Sequence, residues 1–417
     1  MQLTLKKGSL QRNVFFMMLG NGVFAFAQWL QISLISKYSS IDTLGYFTLS
    51  LSIISPVFML TGLQIRTLIV TDSDSKIDFN TFFKVRLFTS AVSLIVVLII
   101  GFFLSNTSLY PFLLLLSVQK ILEGISELFN SKQQQQEKVE ILAQSLFLKG
   151  LSIILSVWMG LVFFKSLYIG LIFILIFFFL IIWLNDYRNY KNEYQRKVDF
   201  SAPFLDAKRL IISGLPLGLV LLILSLNANV SKYFLEAFCG TEKQAIYSSL
   251  SYILVLGLFI LDSLGQTFVP RLSKYYYNEE LVYFRKYAFI FLILSILVGV
   301  SLFILSLFFG EIALKFLFNS KIGEYSHFLS LYLLVSVLVF VASSLGYTLT
   351  AMGEFKIQPY INITVLVVNV LLSFLLIKDY ELKGVLIVLG VCFTIQILIT
   401  SFIILNRLNA KKNKKVS

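Results

Sequence analysis

Three ionisable residues, Lys120, Glu123 and Glu127, stand at i, i+3 and i+7 inside one long apolar run. On a helix that spacing puts all three on one face. At about 1.5 Å of rise per residue, Lys120 is expected roughly 15 Å from the cytoplasmic end of the run. Charge at such depth in a bilayer is costly and usually lines a wet cavity. The trio suits either a cationic anchor tuned by a titratable neighbour or an ion pair that only registers helices. Asp262, roughly 12 Å into a later run with Gln266 one turn on, is expected to be a buried carboxylate and a proton or sodium coupling site. A basic partner on a neighbouring helix is its alternative. Lys149 is similarly deep, and its long stem can also snorkel outward. Arg66 and Arg86 close the cytoplasmic ends of the second and third runs, and Arg271 closes that of the eighth, the run that carries Asp262. Arginine suits bidentate phosphate binding, and it equally suits a headgroup anchor.

The elements carrying these residues are set by composition. The 417 residues are 58% hydrophobic and 14% charged, with mean hydropathy +0.85, where soluble domains run at about 25% charged. No water-soluble core hides that much apolar surface. A bilayer core takes roughly 20 apolar residues per helical span, and such runs fall near 14–36, 44–70, 85–105, 108–130, 141–164 and 166–186. After a charged connector, Tyr187 to Arg209, six more follow near 210–235, 246–270, 287–310, 325–350, 359–378 and 383–405. The first run, beginning at Val14, has no A-x-A-like cleavage site and is expected to be a membrane helix, not a removable signal.

Lys and Arg crowd one set of alternate loops, which predicts that both termini are cytoplasmic. The basic tail Lys411, Lys412, Lys414 and Lys415 then faces anionic inner-leaflet lipid. A net charge of +13 flanks spans here and so indicates membrane topology instead of nucleic-acid binding. Cys239 and Cys392 are the only cysteines and His327 the only histidine. That rules against a disulfide framework, His/Cys zinc sites and multi-histidine catalysis; no catalytic residue, metal or cofactor is expected.

Six spans per half make the halves, 1–195 and 196–417, parallel repeats. Ile35-Ser36-Lys37-Tyr38 is echoed by Val230-Ser231-Lys232-Tyr233, and Leu44 to Ser50 by Gln244 to Leu250. Repeats of this kind are a transporter architecture. The fold class expected is an all-α integral membrane protein with about twelve transmembrane helices in two six-helix bundles.

The stretch Ser225-Leu226-Asn227-Ala228-Asn229-Val230-Ser231-Lys232-Tyr233-Phe234-Leu235-Glu236, with Cys239-Gly240 and Tyr247-Ser248-Ser249-Leu250 after it, resembles helices seven and eight of O-antigen and capsule repeat-unit flippases. These are the polysaccharide transporters of the multidrug/oligosaccharidyl-lipid/polysaccharide exporter superfamily. Leu44-Gly45-Tyr46-Phe47 through Pro56 to Leu63-Gln64-Ile65-Arg66, and Glu123 through Gln133 to Glu137, look similar to the same family. The loop Gln244-Ala245-Ile246 departs from the glycine often found there. The resemblance implies two bundles around a central cavity and a substrate of undecaprenyl diphosphate carrying an oligosaccharide, with membrane lipids and the polysaccharide polymerase machinery as partners. Lys120, Lys149, Arg66, Arg86 and Arg271 would then meet the pyrophosphate. Asn227 and Asn229, with Asn21, Gln28, Gln31, Asn362 and Asn369, would suit sugar hydroxyls, or else interhelical hydrogen bonds. Glu123, Glu127 and Asp262 would couple an ion. Two other readings stay open. A drug or cation antiporter would favour carboxylates over cations, and a membrane polymerase would present a large outer loop bearing arginine or histidine.

Overall fold

The computed structural model describes residues 10–71, 77–104, 106–136, 138–194 and 205–414, and among them it is helical throughout, with no strand. Glu137 and Lys415, and the side chains of Lys412 and Lys414, lie outside the described residues. In chain order the helices are α1 (Leu10–Tyr38), α2 (Ile41–Thr61), α3 (Ile65–Thr71), α4 (Phe79–Leu104), α5 (Tyr110–Gln135), α6 (Val139–Val162), α7 (Leu167–Ile181), a π-helical turn (Ile182–Tyr187) and α8 (Arg188–Tyr194). Then follow α9 (Leu205–Cys239), α10 (Thr241–Tyr277), α11 (Leu281–Leu317), α12 (Ser320–Gly323), α13 (Ser326–Ala351) and α14 (Gln358–Lys414).

Among the described residues, ten helical stretches are long and apolar enough to cross a membrane. α5 is as long as α4 but is more polar, because it carries Lys120, Glu123, Glu127 and a glutamine run. α14 is two helices joined at Glu381, whose φ of 49° breaks the helical path between the two expected runs. Each of the twelve expected spans therefore falls on helix. Two are less regular than hydropathy suggests. The second breaks at Leu63 and Gln64, both with φ near 50°, so that α3 restarts as a separate element. The sixth does not end at a connector but passes through the π turn into α8.

The chain divides into two compact units, Met1–Ser225 and Leu226–Ser417. In the first, α1 packs along α6, α6 along α7, and α5 against α3, α4 and α7. Small residues permit these crossings, as expected where no water drives helices together. A Cβ on Gly20 would sit 2.8 Å from Ala143 Cα, and one on Gly160 would sit 2.4 Å from Gly170 N. An apolar cluster of Ile65, Ile69, Phe79, Phe82, Phe129 and Tyr190 anchors α3 to α4, α5 and α8, with Phe79 and Tyr190 stacked at 4.5 Å. In the second unit α13 packs on α10, α11 and α14. Large apolar side chains such as Phe103, Phe308 and Phe316 are more than 70% exposed, which is the pattern of faces solvated by acyl chains.

Candidate functional site

The first unit contains a cavity of about 410 Å³ walled by α1 to α6. Its polar lining comes from Asn21 of α1, Ser55 and Thr61 of α2, Arg66 of α3, Arg86, Thr89, Ser90 and Ser93 of α4, Lys120, Glu123, Glu127 and Asn130 of α5, and Lys149 of α6. Seven sequence-predicted residues thus meet in one place. The i, i+3, i+7 spacing on α5 puts Lys120, Glu123 and Glu127 on the wall. The break at Leu63 and Gln64 lets α3 bury Ile65 and Ile69 in the apolar cluster while Arg66 lines the cavity.

The charges are arranged in layers. Lys120 Nζ pairs with Glu123 Oε2 at 2.6 Å, and Gln119 donates to the other oxygen of that carboxylate at 3.0 Å. Glu127 pairs across to α4, where Arg86 Nη2 lies 2.6 Å from its Oε2. The Arg86 guanidinium occupies a slot left by two glycines. A Cβ on Gly124 would sit 2.7 Å from its Nε, and one on Gly62 would sit 3.3 Å from its Nη1. Arg66 donates through Nε and Nη2 to the neutral Gln134 Oε1, at 3.1 and 2.9 Å, so its hydrogen bonds leave its charge uncompensated.

Lys149 is held differently. Its side chain is 4% exposed, and its ammonium bonds to Ser126 Oγ and lies 3.5 Å from Oδ2 of the fully buried Asp186 side chain. Ser126 in turn donates to that same oxygen. A snorkelling Lys149 is corrected by this pairing, because a buried charge is tolerated only when it is paired and hydrogen-bonded. Asp186 and Ser126 were missed by sequence reasoning. Asp186 ends an apolar run where a charge looks interfacial, and the π turn that carries it inward has no sequence signature.

Asp262 is exposed on the surface of its unit, on a helix long and apolar enough to cross a membrane. It accepts a hydrogen bond from Tyr347 at 2.6 Å and has no basic partner among the described residues. Gly265 makes this possible, since a Cβ there would stand 2.8 Å from the Tyr347 ring. Arg271 also belongs to the second unit, where it stacks over Tyr287 at 4.8 Å. Asn227 and Asn369 tie α9 to α14: Asn227 donates to Asn362 O at 3.0 Å, and Asn369 donates to Asn227 O at 3.1 Å. Asn229 accepts from Lys232 at 3.1 Å. Asn227 and Asn369 thus serve helix packing in the way the interhelical alternative anticipates, whereas the Asn229 bond stays within α9.

Comparison with solved structures defines the class. The fold is similar to that of the lipid II flippase MurJ in an inward closed conformation, with a TM-score of 0.75 and 16% identity over 94% of this chain and 87% of that one. It is also similar to an inward-facing multidrug resistance MATE family transporter of the MOP superfamily, with a TM-score of 0.69 and 14% identity over 95% and 96% of the two chains. The molecule is a multi-pass membrane protein with the MOP-superfamily fold. Within that class, the profile described as polysaccharide biosynthesis protein matches residues 10–276, and the MatE profile matches residues 216–375. The capsular polysaccharide biosynthesis protein CapF of Staphylococcus aureus is 30% identical over 381 residues, 89% of this chain and 93% of CapF. The chain belongs to the polysaccharide biosynthesis protein family.

Proposed function

We propose that this protein is a flippase carrying undecaprenyl-diphosphate-linked oligosaccharide repeat units from the cytoplasmic to the outer leaflet, for capsule or O-antigen assembly. The observation that carries the reading is the cavity lining: four cations, Arg66, Arg86, Lys120 and Lys149, of which Glu127, Glu123 and Asp186 pair with the last three and leave the charge of Arg66 in excess. A pyrophosphate and its sugar cannot cross hydrocarbon unaided, whereas the polyprenyl tail can stay in it. A cation-rich, hydroxyl-lined pocket takes the head alone. The capsular polysaccharide relative and the family profile support a substrate of this class, and the excess of cations speaks against a cation antiporter. The protein acts as a transporter and not an enzyme, and hands its cargo to the polymerase machinery outside.

In this reading the halves 1–195 and 196–417 alternate access between leaflets, with both termini cytoplasmic. Glu127 and Glu123 hold Arg86 and Lys120 until substrate arrives. A carboxylate that takes up a proton releases its cation to a phosphate oxygen, which links transport to a proton; Asp262 is the second-half candidate for such coupling, and Arg271 for phosphate capture there.

Deleting the gene and locating the lipid-linked repeat units tests this. Inner-leaflet accumulation is expected, with Lys120→Ala and Asp262→Asn failing to rescue. Accumulation on the outer leaflet would assign the protein to polymerisation instead.

A further inference from the structure

Asn130, on the cavity wall and 6% exposed, has one side-chain atom without a partner, its Oδ1. Which end of an amide is free depends on how the amide is turned, and here the neighbours decide it. A serine hydroxyl has one proton to give and two lone pairs. The Ser126 proton goes to Asp186, a carboxylate that only accepts, and Lys149 occupies one lone pair. The group from Asn130 that meets the remaining lone pair must therefore be a donor, so Nδ2 faces Ser126, at 3.2 Å. The same Nδ2 lies 3.2 Å from Ser145 Oγ. Both amide protons are engaged, and the carbonyl oxygen is left as a buried acceptor in a residue that lines the cavity.

Such an acceptor cannot serve a phosphate, which offers no proton near neutral pH. It suits a hydroxyl or an amide N–H. Lys149, which shares Ser126 with it, has three N–H donors, one more than its two partners Ser126 and Asp186 take up. Donor and acceptor side by side match a saccharide hydroxyl, which both gives and takes a hydrogen bond, or an acetamido group, which has N–H and C=O together. We propose that Asn130 and Lys149 form a saccharide-reading subsite, locked by Ser126 and Asp186, that recognises a hydrogen-bond-donating group on the sugar next to the pyrophosphate. The assignment rests on the flippase reading above and adds specificity to it. Arg66 and Arg86 take charge, whereas Asn130 reads the sugar.

The test uses the full chain in lipid nanodiscs and two probes, undecaprenyl diphosphate and the same lipid carrying one N-acetylglucosamine. The wild type is expected to hold the glycosylated probe about tenfold more tightly, the scale of one well-made hydrogen bond. Asn130→Leu should erase that preference while leaving affinity for the bare lipid within about twofold. Ser126→Ala, which unlocks the amide without removing it, should lower the preference in the same direction and decides the matter if Asn130→Leu fails to fold. An unchanged preference in the variants, or equal weakening of both probes, overturns the subsite. Arg66→Gln separates the two claims, because it should weaken both probes by one factor and leave their ratio intact. If Arg66→Gln changes neither, the anion reading fails while the ratio still judges Asn130.

Discussion

Lys149 and Asp186 illustrate how a charge survives inside an apolar bundle. Each is nearly or fully buried, and each is compensated by the other through Ser126. Removing one member leaves an uncompensated buried charge, which typically costs about 3–5 kcal/mol, whereas replacing both by apolar groups of similar size is often close to neutral. Lys149→Met is therefore expected to lower the thermal unfolding midpoint strongly, and Lys149→Met combined with Asp186→Leu to recover most of the loss. Additive losses in the double variant would show that the pair is not the source. Arg86 gives a complementary case. At Gly124 an added methyl meets the mobile end of the Arg86 side chain, and alanine is favoured over glycine in a helix by about 1 kcal/mol. Gly124→Ala should expel the guanidinium from Glu127, with the helix gain offsetting part of the lost pairing, so transport in a complementation assay should fall as far as it does in Arg86→Gln. Full activity in Gly124→Ala would mean that the slot has no role.

At the scale of helices, the cavity is shaped by two stretches of irregular backbone beside it and by small residues that hold the regular helices close. α3 restarts after the Leu63 and Gln64 break, the π turn swings Asp186 toward α5 and α6, and α6 meets α7 at Gly160 and Gly170. A side chain at Gly160 would strike backbone atoms of α7, which no rotamer can relieve. Overpacking of this kind costs about 1–3 kcal/mol or more, so Gly160→Leu should destabilise the purified protein clearly. Gly346→Ala, where nothing lies within 4 Å, should be neutral or slightly stabilising in the same unfolding measurement. Equal behaviour of the two variants would remove the tight α6 and α7 crossing as a determinant of the fold. The expected second and sixth spans were right as apolar runs but silent about these breaks, because hydropathy averages over a window and does not report φ.

For the molecule as a whole, the distribution of Lys and Arg predicts cytoplasmic termini, and a reporter active only in the cytoplasm should signal when fused after Leu408; silence there with activity in an outer loop would invert the topology. The sequence by itself determined the membrane class, the apolar runs that became helices and the one face of α5 that carries Lys120, Glu123 and Glu127. Bilayer thickness and the helical repeat turn composition and spacing directly into spans and faces. It also marked Arg66, Arg86 and Lys149 as charges needing an explanation. Only the tertiary structure decided that those three converge with α5 on one cavity, that Glu127 pairs with Arg86 and not with Lys120, and that Asp262 is exposed while Asp186 is enclosed. The reason is physical: partners for a buried charge are drawn from helices distant in sequence, and which helices meet depends on glycine contacts and backbone breaks that no local pattern encodes.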